Sequence, residues 1–181
     1  MKITKTEIDG LLIIEPDVYT DDRGYFFEAY SYAAFVDAGI EDSFVQDNEA
    51  QSRRGVLRGL HYQTGPLAQS KLVRVINGIV YDVAVDIRPG SDTYGKWIGV
   101  ELSAKNKKQF YIPRGFAHGY VALEEDTILV YKCDNFYSKA HEGGIRYDDP
   151  ILNIQWPLVS GRAIVSERDL GLPAFGAHQT P

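Results

Sequence analysis

The dipeptide Asn77-Gly78, which lies between two apolar runs, constrains the fold more than any other short stretch of the chain. Asn-Gly in this setting is the strongest short signal for a β-hairpin, because both residues accept the positive φ angles of a two-residue type I′ turn. The flanking runs, 71–76 and 79–87, are rich in valine and isoleucine and are therefore predicted to be the two paired strands.

The rest of the chain repeats this pattern of short apolar strands and close turns. Many short strands at such spacing are typical of a β-sandwich or a β-barrel. One substantial helix is predicted between Ser31, a favourable N-cap residue, and Gly39, a favourable stop. We therefore expect an all-β protein with a few short helices. The further predicted strands are 11–14, 24–30, 44–48, 55–63, 96–102, 109–112, 119–123 and 127–134.

Size and composition limit the number of domains and the classes of function. A chain of 181 residues that is 44% hydrophobic predicts one globular domain, 1–181, whose apolar-poor tail, 174–181, is loosely held. A net charge of -6 argues against nucleic acid as a partner. The single cysteine, Cys133, excludes an internal disulfide. No apolar run approaches the ~20 residues of a membrane-spanning helix, so we expect a cytoplasmic protein that does not associate with membranes.

The predicted strand 55–63 carries polar side chains in its middle. Arg58 offers a planar charged group suited to phosphate or carboxylate, and His61 offers a base that titrates near neutral pH. Strict alternation would place the two on opposite faces. Because Gly59 lies between them, we predict a bend that lets both side chains serve one cavity. A core histidine beside an unrelated surface arginine explains these residues about equally well.

A lysine and an aspartate share one face of the predicted hairpin. Lys71 and Asp82 would be diagonal neighbours there, close enough for their side chains to meet. On the interior of a barrel such a pair would be desolvated and functional, whereas on the exterior it would be an ordinary surface ion pair. The apolar neighbours slightly favour the interior. These neighbours are Val73, Val75, Val80 and Ala84.

The stretch 113–118, Pro-Arg-Gly-Phe-Ala-His, resembles the P-x-G-x-x-H element of the cupin superfamily. Metal-dependent cupins add an upstream H-x-H pair, but here the corresponding stretch ends in Gln63. A three-histidine site would need His141 to join from a loop. We therefore expect no metal, although a metal-dependent cupin oxygenase stays an alternative.

Eight segments in chain order resemble the dTDP-4-dehydrorhamnose 3,5-epimerase family, which are metal-free cupins. The resemblance covers roughly residues 1–173. It implies a cupin jelly-roll barrel that forms a homodimer, binds a nucleotide sugar in the barrel mouth and uses no cofactor. It implies an isomerase that converts dTDP-4-keto-6-deoxy-D-glucose to dTDP-4-keto-L-rhamnose by inversion at C3 and C5. The segments are D-D-R-G-Y-F-F-E at 21–28, Q-D-N at 46–48, G-V-L-R-G-L-H-Y-Q at 55–63, K-L-V-R-V at 71–75, P-R-G-F-A-H-G at 113–119, Y-K at 131–132, E-G-G-I at 142–145 and S-E-R-D at 166–169.

The same resemblance implies roles for individual residues. His61 corresponds to the base that removes a proton, Tyr131 to the proton donor and Asp169 to the carboxylate that orients His61. Lys71 corresponds to the cation near the keto oxygen, with Asp82 as a candidate support. The segment 21–28 reaches, in the family, into the site of the partner subunit. The substrate-binding positions are Arg23, Phe26, Glu28, Gln46, Asn48, Arg58, His118, Tyr137, Glu142 and Arg168, with Tyr137 at the place that stacks on thymine.

These residue types suit the implied chemistry. A C–H beside a ketone is acidic because its carbanion delocalises into an enolate, so the site needs a base, an acid on the opposite face and a cation for the enolate oxygen. Two alternatives stay open: epimerisation at one carbon only, and a cupin that binds a sugar nucleotide without reaction. Glu49-Ala50 follows the Q-D-N segment where many relatives have His-Ser, so the sequence does not fix the number of carbons inverted.

Overall fold

The computed structural model describes residues 1–158 and 161–181, in which strands are far more numerous than helices. The all-β class predicted with a few short helices is therefore confirmed. No helix within these two ranges is long and apolar enough to cross a membrane. The strands are β1 (Lys2–Lys5), β2 (Leu12–Glu15), β3 (Tyr19–Asp21), β4 (Gly24–Phe26), β5 (Gln46–Ser52), β6 (Leu57–Gln63), β7 (Lys71–Asn77), β8 (Ile79–Asp86), β9 (Trp97–Ser103), β10 (Gln109–Ile112), β11 (Phe116–Ala122), β12 (Thr127–Cys133) and β13 (Glu142–Gly144), and the α-helices are α1 (Tyr32–Asp37) and α2 (Glu167–Leu170).

Two antiparallel sheets pack face to face. One has the strand order β1-β2-β10-β7-β12-β5 and the other β13-β6-β11-β8-β9. Alternate side chains of both sheets point between them, and this gives the main core and the jelly-roll arrangement of a cupin. The core side chains include Val73, Val75, Val80, Ala84, Val100, Leu102, Phe110, Ile112, Tyr120 and Leu129.

The predicted hairpin at Asn77-Gly78 is wrong. Strand β7 pairs with β10 and β12, whereas β8 pairs with β9 and β11 in the other sheet. The dipeptide instead carries the chain from one sheet to the other. Gly78 has a φ of 77°, and a Cβ there would lie 2.4 Å from Oγ1 of Thr127. Glycine is thus needed for a close approach at a corner, and this requirement produces the same sequence signal as a hairpin turn.

Strand β6 contains the bend that the sequence predicts at Gly59. His61 lies opposite His118 of β11, while Arg58 lies opposite Tyr120, so β6 has one more residue than β11 between the two pairs. A Cβ on Gly59, whose φ is 136°, would lie 2.5 Å from the Cα of Gly119. The extra residue shifts the alternation by one, and Arg58 and His61 therefore face the same side of the sheet.

Strands β3 and β4 form a separate two-stranded hairpin, here called the arm. Its Tyr25 and Phe26 are exposed. The strand predicted at 24–30 is therefore shorter than expected, because Tyr30 turns inward and packs edge-on against Phe35 of α1 with ring centroids 5.0 Å apart. Helix α1 lies between Ser31 and Gly39 as predicted.

The C-terminal segment covers the outer face of the five-stranded sheet, where it forms a second apolar cluster with residues such as Val83 and Val85. The sequence predicts a loosely held tail from residue 174, and the structure gives this tail contacts with the rest of the chain. Phe175 packs against the ring of Tyr94 with centroids 5.1 Å apart, and its backbone N–H donates to Asp149 at 2.8 Å. His178 and the backbone of Gln179 add further contacts, with the rings of Tyr94 and Phe175 and with the hydroxyl of Tyr62 respectively.

Candidate active site

A cavity of about 560 Å³ opens between the two sheets. Strands β5, β7 and β12 line it from one side, β6 and β11 line it from the other, and the segment around α2 closes one edge. Most of the predicted site residues meet here, although they come from distant parts of the chain. Those that line the cavity are Gln46, Arg58, His61, Lys71, His118, Tyr131, Tyr137, Glu142, Arg168 and Asp169.

His61 and Asp169 form a hydrogen-bonded pair on the cavity wall. Nε2 of His61 lies 2.7 Å from Oδ1 of Asp169, and Oδ2 of Asp169 accepts the N–H of Gly59 at 3.2 Å. Burial alone would raise the pKa of Asp169, but the bonds from His61 and Gly59 outweigh it and hold that pKa below its usual value. Asp169 is therefore a carboxylate that accepts the Nε2 proton, which leaves Nδ1 of His61 as the basic nitrogen.

His118, Asp82 and Lys71 form a buried polar group beside this pair. Nε2 of His118 lies 2.9 and 3.0 Å from the two carboxylate oxygens of Asp82, which is completely buried. Burial lowers the pKa of His118, so the ring is neutral and donates to Asp82. Burial also lowers the pKa of Lys71, while the charge of Asp82 acts in the opposite direction.

The predicted interior position of Lys71 and Asp82 is confirmed, since both are buried, but they are not neighbours in a hairpin. The two residues stand on different sheets, and the charge of Asp82 acts on the pKa of Lys71 across the barrel. Lys71 is 9% exposed and lines the cavity. An ammonium group on the wall of a cavity is available to an anionic oxygen inside it.

Tyr131 lies on the opposite side of the cavity from His61, because it stands on β12 of the six-stranded sheet. Nζ of Lys71 is 5.8 Å from the centroid of its ring. Burial raises the pKa of Tyr131 to about 12, so the phenol keeps its proton at neutral pH. Tyr131 can therefore act as an acid that faces a base across the cavity.

The rim carries groups suited to a nucleotide. Arg168 pairs with Glu142 at 2.8 Å, and Tyr137, whose ring is exposed, lies beside them. The backbone N–H of Tyr137 donates to the side chain of Gln46 at 3.1 Å, which fixes the rim to β5. An exposed ring next to an arginine fits a base and a phosphate respectively.

Four predicted substrate-binding residues do not line this cavity. Arg23 and Phe26 are on the arm, where the Arg23 side chain is 90% exposed and pairs with Asp21. Phe26, Glu28 and Asn48 border a second cavity of about 800 Å³ on the outer face of the six-stranded sheet. Within a single chain the arm therefore stays apart from the cavity that holds His61.

Several cavity residues were not found from the sequence. Cys133 lies opposite Lys71 in the β7–β12 ladder, and burial raises the pKa of its thiol to about 11. Ser52 and Tyr120 meet at 3.2 Å beside the cavity. A usable signal did exist for Tyr120, because it stands two residues after His118 on one strand and must share its face.

Gln63 occupies the position where a metal cupin has its second histidine. Its side-chain oxygen accepts the N–H of Ser138 at 2.9 Å, so it holds the rim loop in place. His141 binds Ser138 through Nδ1 at 3.0 Å and does not approach His61. Among the residues that the structure describes, no group of three His, Cys, Asp or Glu side chains is arranged to hold a metal ion.

Comparison with known proteins gives the same family in sequence and in structure. The family model described as dTDP-4-dehydrorhamnose 3,5-epimerase matches residues 5–177. The dTDP-4-dehydrorhamnose 3,5-epimerase of Methanothermobacter thermautotrophicus is 53% identical over 169 residues, which is 93% of this chain and 91% of that protein. The crystal structure of the enzyme of that name from Elizabethkingia anophelis shares 51% identity with a TM-score of 0.93 and covers 97% of both chains. The crystal structure of the dTDP-6-deoxy-D-glucose-3,5-epimerase from Legionella pneumophila, in complex with dTDP-4-keto-L-rhamnose, shares 47% identity with a TM-score of 0.94 and covers 97% of this chain and 93% of that one.

Proposed function

The chain belongs to the dTDP-4-dehydrorhamnose 3,5-epimerase family, whose members are isomerases that act on carbohydrates, and on this premise we propose that it inverts C3 and C5 of dTDP-4-keto-6-deoxy-D-glucose. The product is dTDP-4-keto-L-rhamnose, a precursor of dTDP-L-rhamnose. The observation that carries the proposal is the meeting of the His61–Asp169 pair with Lys71 and Tyr131 around one cavity.

His61 removes the proton from the carbon next to the ketone. The Nε2–H bond to Asp169 fixes the tautomer, so Nδ1 carries the lone pair that takes the proton. The imidazolium that forms is stabilised by the carboxylate beside it. Asp169 itself stays ionised, because its oxygens are held by His61 and by the backbone N–H of Gly59.

Lys71 and Tyr131 complete the step. The ammonium of Lys71, which lines the cavity, stabilises the negative oxygen of the enolate. Tyr131 then gives its proton to the carbon from the opposite face, which inverts the centre. The sum of these steps moves protons only, so the proposed reaction requires no redox cofactor.

The rim residues bind the nucleotide part of the substrate in this proposal. Arg168 binds the diphosphate, since a guanidinium group matches phosphate oxygens in pairs. The exposed ring of Tyr137 offers a stacking surface for thymine. Gln46 and Glu142 hold these groups in position through the backbone of Tyr137 and the side chain of Arg168 respectively.

A homodimer forms the complete site in this proposal. The arm carries Arg23 and Phe26 away from its own cavity, and Phe26 is 71% exposed. An exposed aromatic side chain on a projecting hairpin is better explained by a contact with a second copy than by a solvent-facing role. The arm of one subunit would then supply Arg23 and Phe26 to the cavity of the other.

Mixing two inactive variants tests the shared site. Arg23→Ala removes an arm residue and His61→Ala removes the base, so each homodimer should be inactive or nearly so. A mixed dimer regains one cavity in which arm and barrel are both intact. Activity that reappears after the subunits are exchanged supports the proposal, whereas no recovery in a verified mixed dimer contradicts it.

The reaction itself is tested with the 4-keto-6-deoxy sugar nucleotide in D2O. Deuterium found by NMR at both C3 and C5 of an inverted product supports the proposed function. Deuterium at one carbon only would identify a single-carbon epimerase, and tight binding without deuterium would identify a binding protein. We place the reaction in the cytoplasm, a proposal supported by the single, buried and unpaired Cys133.

A further inference from the structure

Arg58 is held in a fixed position by groups that have no role in the mechanism above. Its Nε donates to Oγ of Ser52 at 3.2 Å, and its Nη2 donates to the backbone carbonyl of Gln51 at 3.1 Å. Ser52 in turn shares a hydrogen bond of 3.2 Å with the hydroxyl of Tyr120. Ser52 and Tyr120 are each 4% exposed, so this is a buried link between β5, β6 and β11.

The guanidinium held in this way belongs to the same cavity as Tyr131, since both side chains line it. Burial raises the pKa of Tyr131, and Cys133 and Tyr120 raise it further, while Arg58 acts in the opposite direction. Lys71, whose ammonium lies 5.8 Å from the ring centroid, is already assigned to the enolate oxygen in the mechanism above.

After it donates its proton, Tyr131 is a phenolate and needs a cation nearby. Each inversion adds one proton to His61 and removes one from Tyr131, so it leaves an imidazolium and a phenolate until both exchange with solvent. The imidazolium has a counterion in Asp169. A phenolate in a site this buried would be costly without one.

We propose that Arg58 is the counterion of the Tyr131 phenolate, and that the Ser52–Tyr120 hydroxyl pair is the device that positions it. The inference rests on the proposed function. It makes Ser52 and Tyr120 positioning residues, which act on the proton donor only through Arg58. Arg58 and Gly59 are neighbours at the bulge of β6. The bulge therefore positions Arg58, the counterion of Tyr131, and through the N–H of Gly59 it also holds Asp169, the counterion of His61.

The test compares Tyr120→Phe and Ser52→Ala with the unchanged protein in D2O. The readout is the ratio of inverted product to total deuterium wash-in, because a general loss of active protein lowers both quantities equally. We expect the ratio to fall about tenfold in each variant, as the acid becomes weaker while the base is untouched. The double variant should fall no further than the single ones, because both changes break the same link.

Tyr81→Phe is the matched control, since Tyr81 is a half-buried tyrosine of β8 that lies outside the cavity. An unchanged ratio in both test variants overturns the inference. A fall in Tyr120→Phe but not in Ser52→Ala also overturns it, because Tyr120 would then act directly. If the unchanged protein shows no deuterium wash-in, the proposed function fails and this inference fails with it. If wash-in is normal but the ratio is the same in the two test variants as in the unchanged protein, only the inference fails.

Discussion

Nε2 of His61 and Oδ1 of Asp169 lie 2.7 Å apart although 108 residues separate them in the chain. Two local features bring them together. The bulge at Gly59 turns His61 into the cavity, and Ser166 caps the short helix α2 by accepting the N–H of Asp169 at 3.1 Å. The carboxylate also accepts the N–H of Gly59, so the bulge and the helix are held to each other at the point where the base sits.

Asp169→Asn should therefore abolish most of the proton transfer. An amide can present its NH2 group to Nε2, which would move the ring proton to Nδ1 and remove the lone pair that acts as the base. We expect wash-in and inversion to fall together by ~10²–10⁴-fold, with the affinity for dTDP within a few fold. NMR exchange rates and calorimetric titration measure the two quantities. Asp148→Asn, at an exposed ion pair, is the control, and normal wash-in in Asp169→Asn contradicts the prediction.

Lys71→Met should lower both processes as well, but for a different reason. Methionine keeps much of the shape of the buried side chain and removes only the charge that stabilises the enolate. Because the enolate precedes both retention and inversion, both rates should fall by roughly 10²–10³-fold while their ratio is unchanged. Lys105→Met, at an exposed position, controls for the change of residue type. A selective loss of inversion in Lys71→Met would assign Lys71 to the proton donor instead.

Metal removal should leave the activity unchanged. Gln63 stands where a metal cupin has a histidine, and its side-chain oxygen is already engaged by the N–H of Ser138 at 2.9 Å. Dialysis against a strong chelator, followed by metal analysis and an assay, checks this expectation. An activity that disappears on chelation and returns with one divalent ion would show that the prediction is wrong.

Stability should depend on pH through His118. Burial lowers the pKa of His118 in the folded protein from about 6.5, so the unfolded chain binds more protons between the folded value and 6.5. The free energy of unfolding should therefore rise with pH across this window and level off above it. Urea unfolding between pH 5 and 8 measures the slope, which should be smaller in His118→Gln.

A second histidine provides the comparison for that measurement. Burial also lowers the pKa of His178, which is in the tail. His178→Gln should therefore remove a separate part of the slope. Asp169, whose pKa is held below its usual value, titrates at lower pH and lies outside the window. An equal slope in the unchanged protein and in His118→Gln would contradict the assignment.

The sequence correctly predicts structural features that depend only on neighbouring residues in the chain. Gly59 was expected to mark a bend that brings Arg58 and His61 to one cavity, and a Cβ there would collide with Gly119. The Asn77-Gly78 prediction failed because a glycine with a positive φ angle, as at Gly78, serves a corner between sheets as well as a hairpin turn. Which strands pair is decided by the whole sheet, and the dipeptide carries no information about that.

The site was predictable only in part from its residues. Arg58 and His61 share one strand, so their meeting follows from one bulge. Asp169 is on a distant helix, and only the family resemblance connected it with His61. The sequence does not predict a role for Ser52 and Tyr120, because that role depends on one hydrogen bond across the barrel. Such a bond leaves no periodic pattern in the sequence.

Tyr131→Phe separates the two halves of the reaction. Epimerisation requires the proton to return on the face opposite to the one it left, and a single residue cannot easily serve both faces of a planar enolate. His61 and Tyr131 stand on different sheets across the cavity, and phenylalanine would keep the ring packing while deleting only the acid. His61 should still remove the proton and hand it back, so deuterium should enter with retained configuration while inverted product falls by ~10²-fold or more. Tyr32→Phe, at an exposed position, is the control. If wash-in and inversion vanish together, Tyr131 does more than donate from the opposite face, and if inversion is unaffected, another acid such as water does that work.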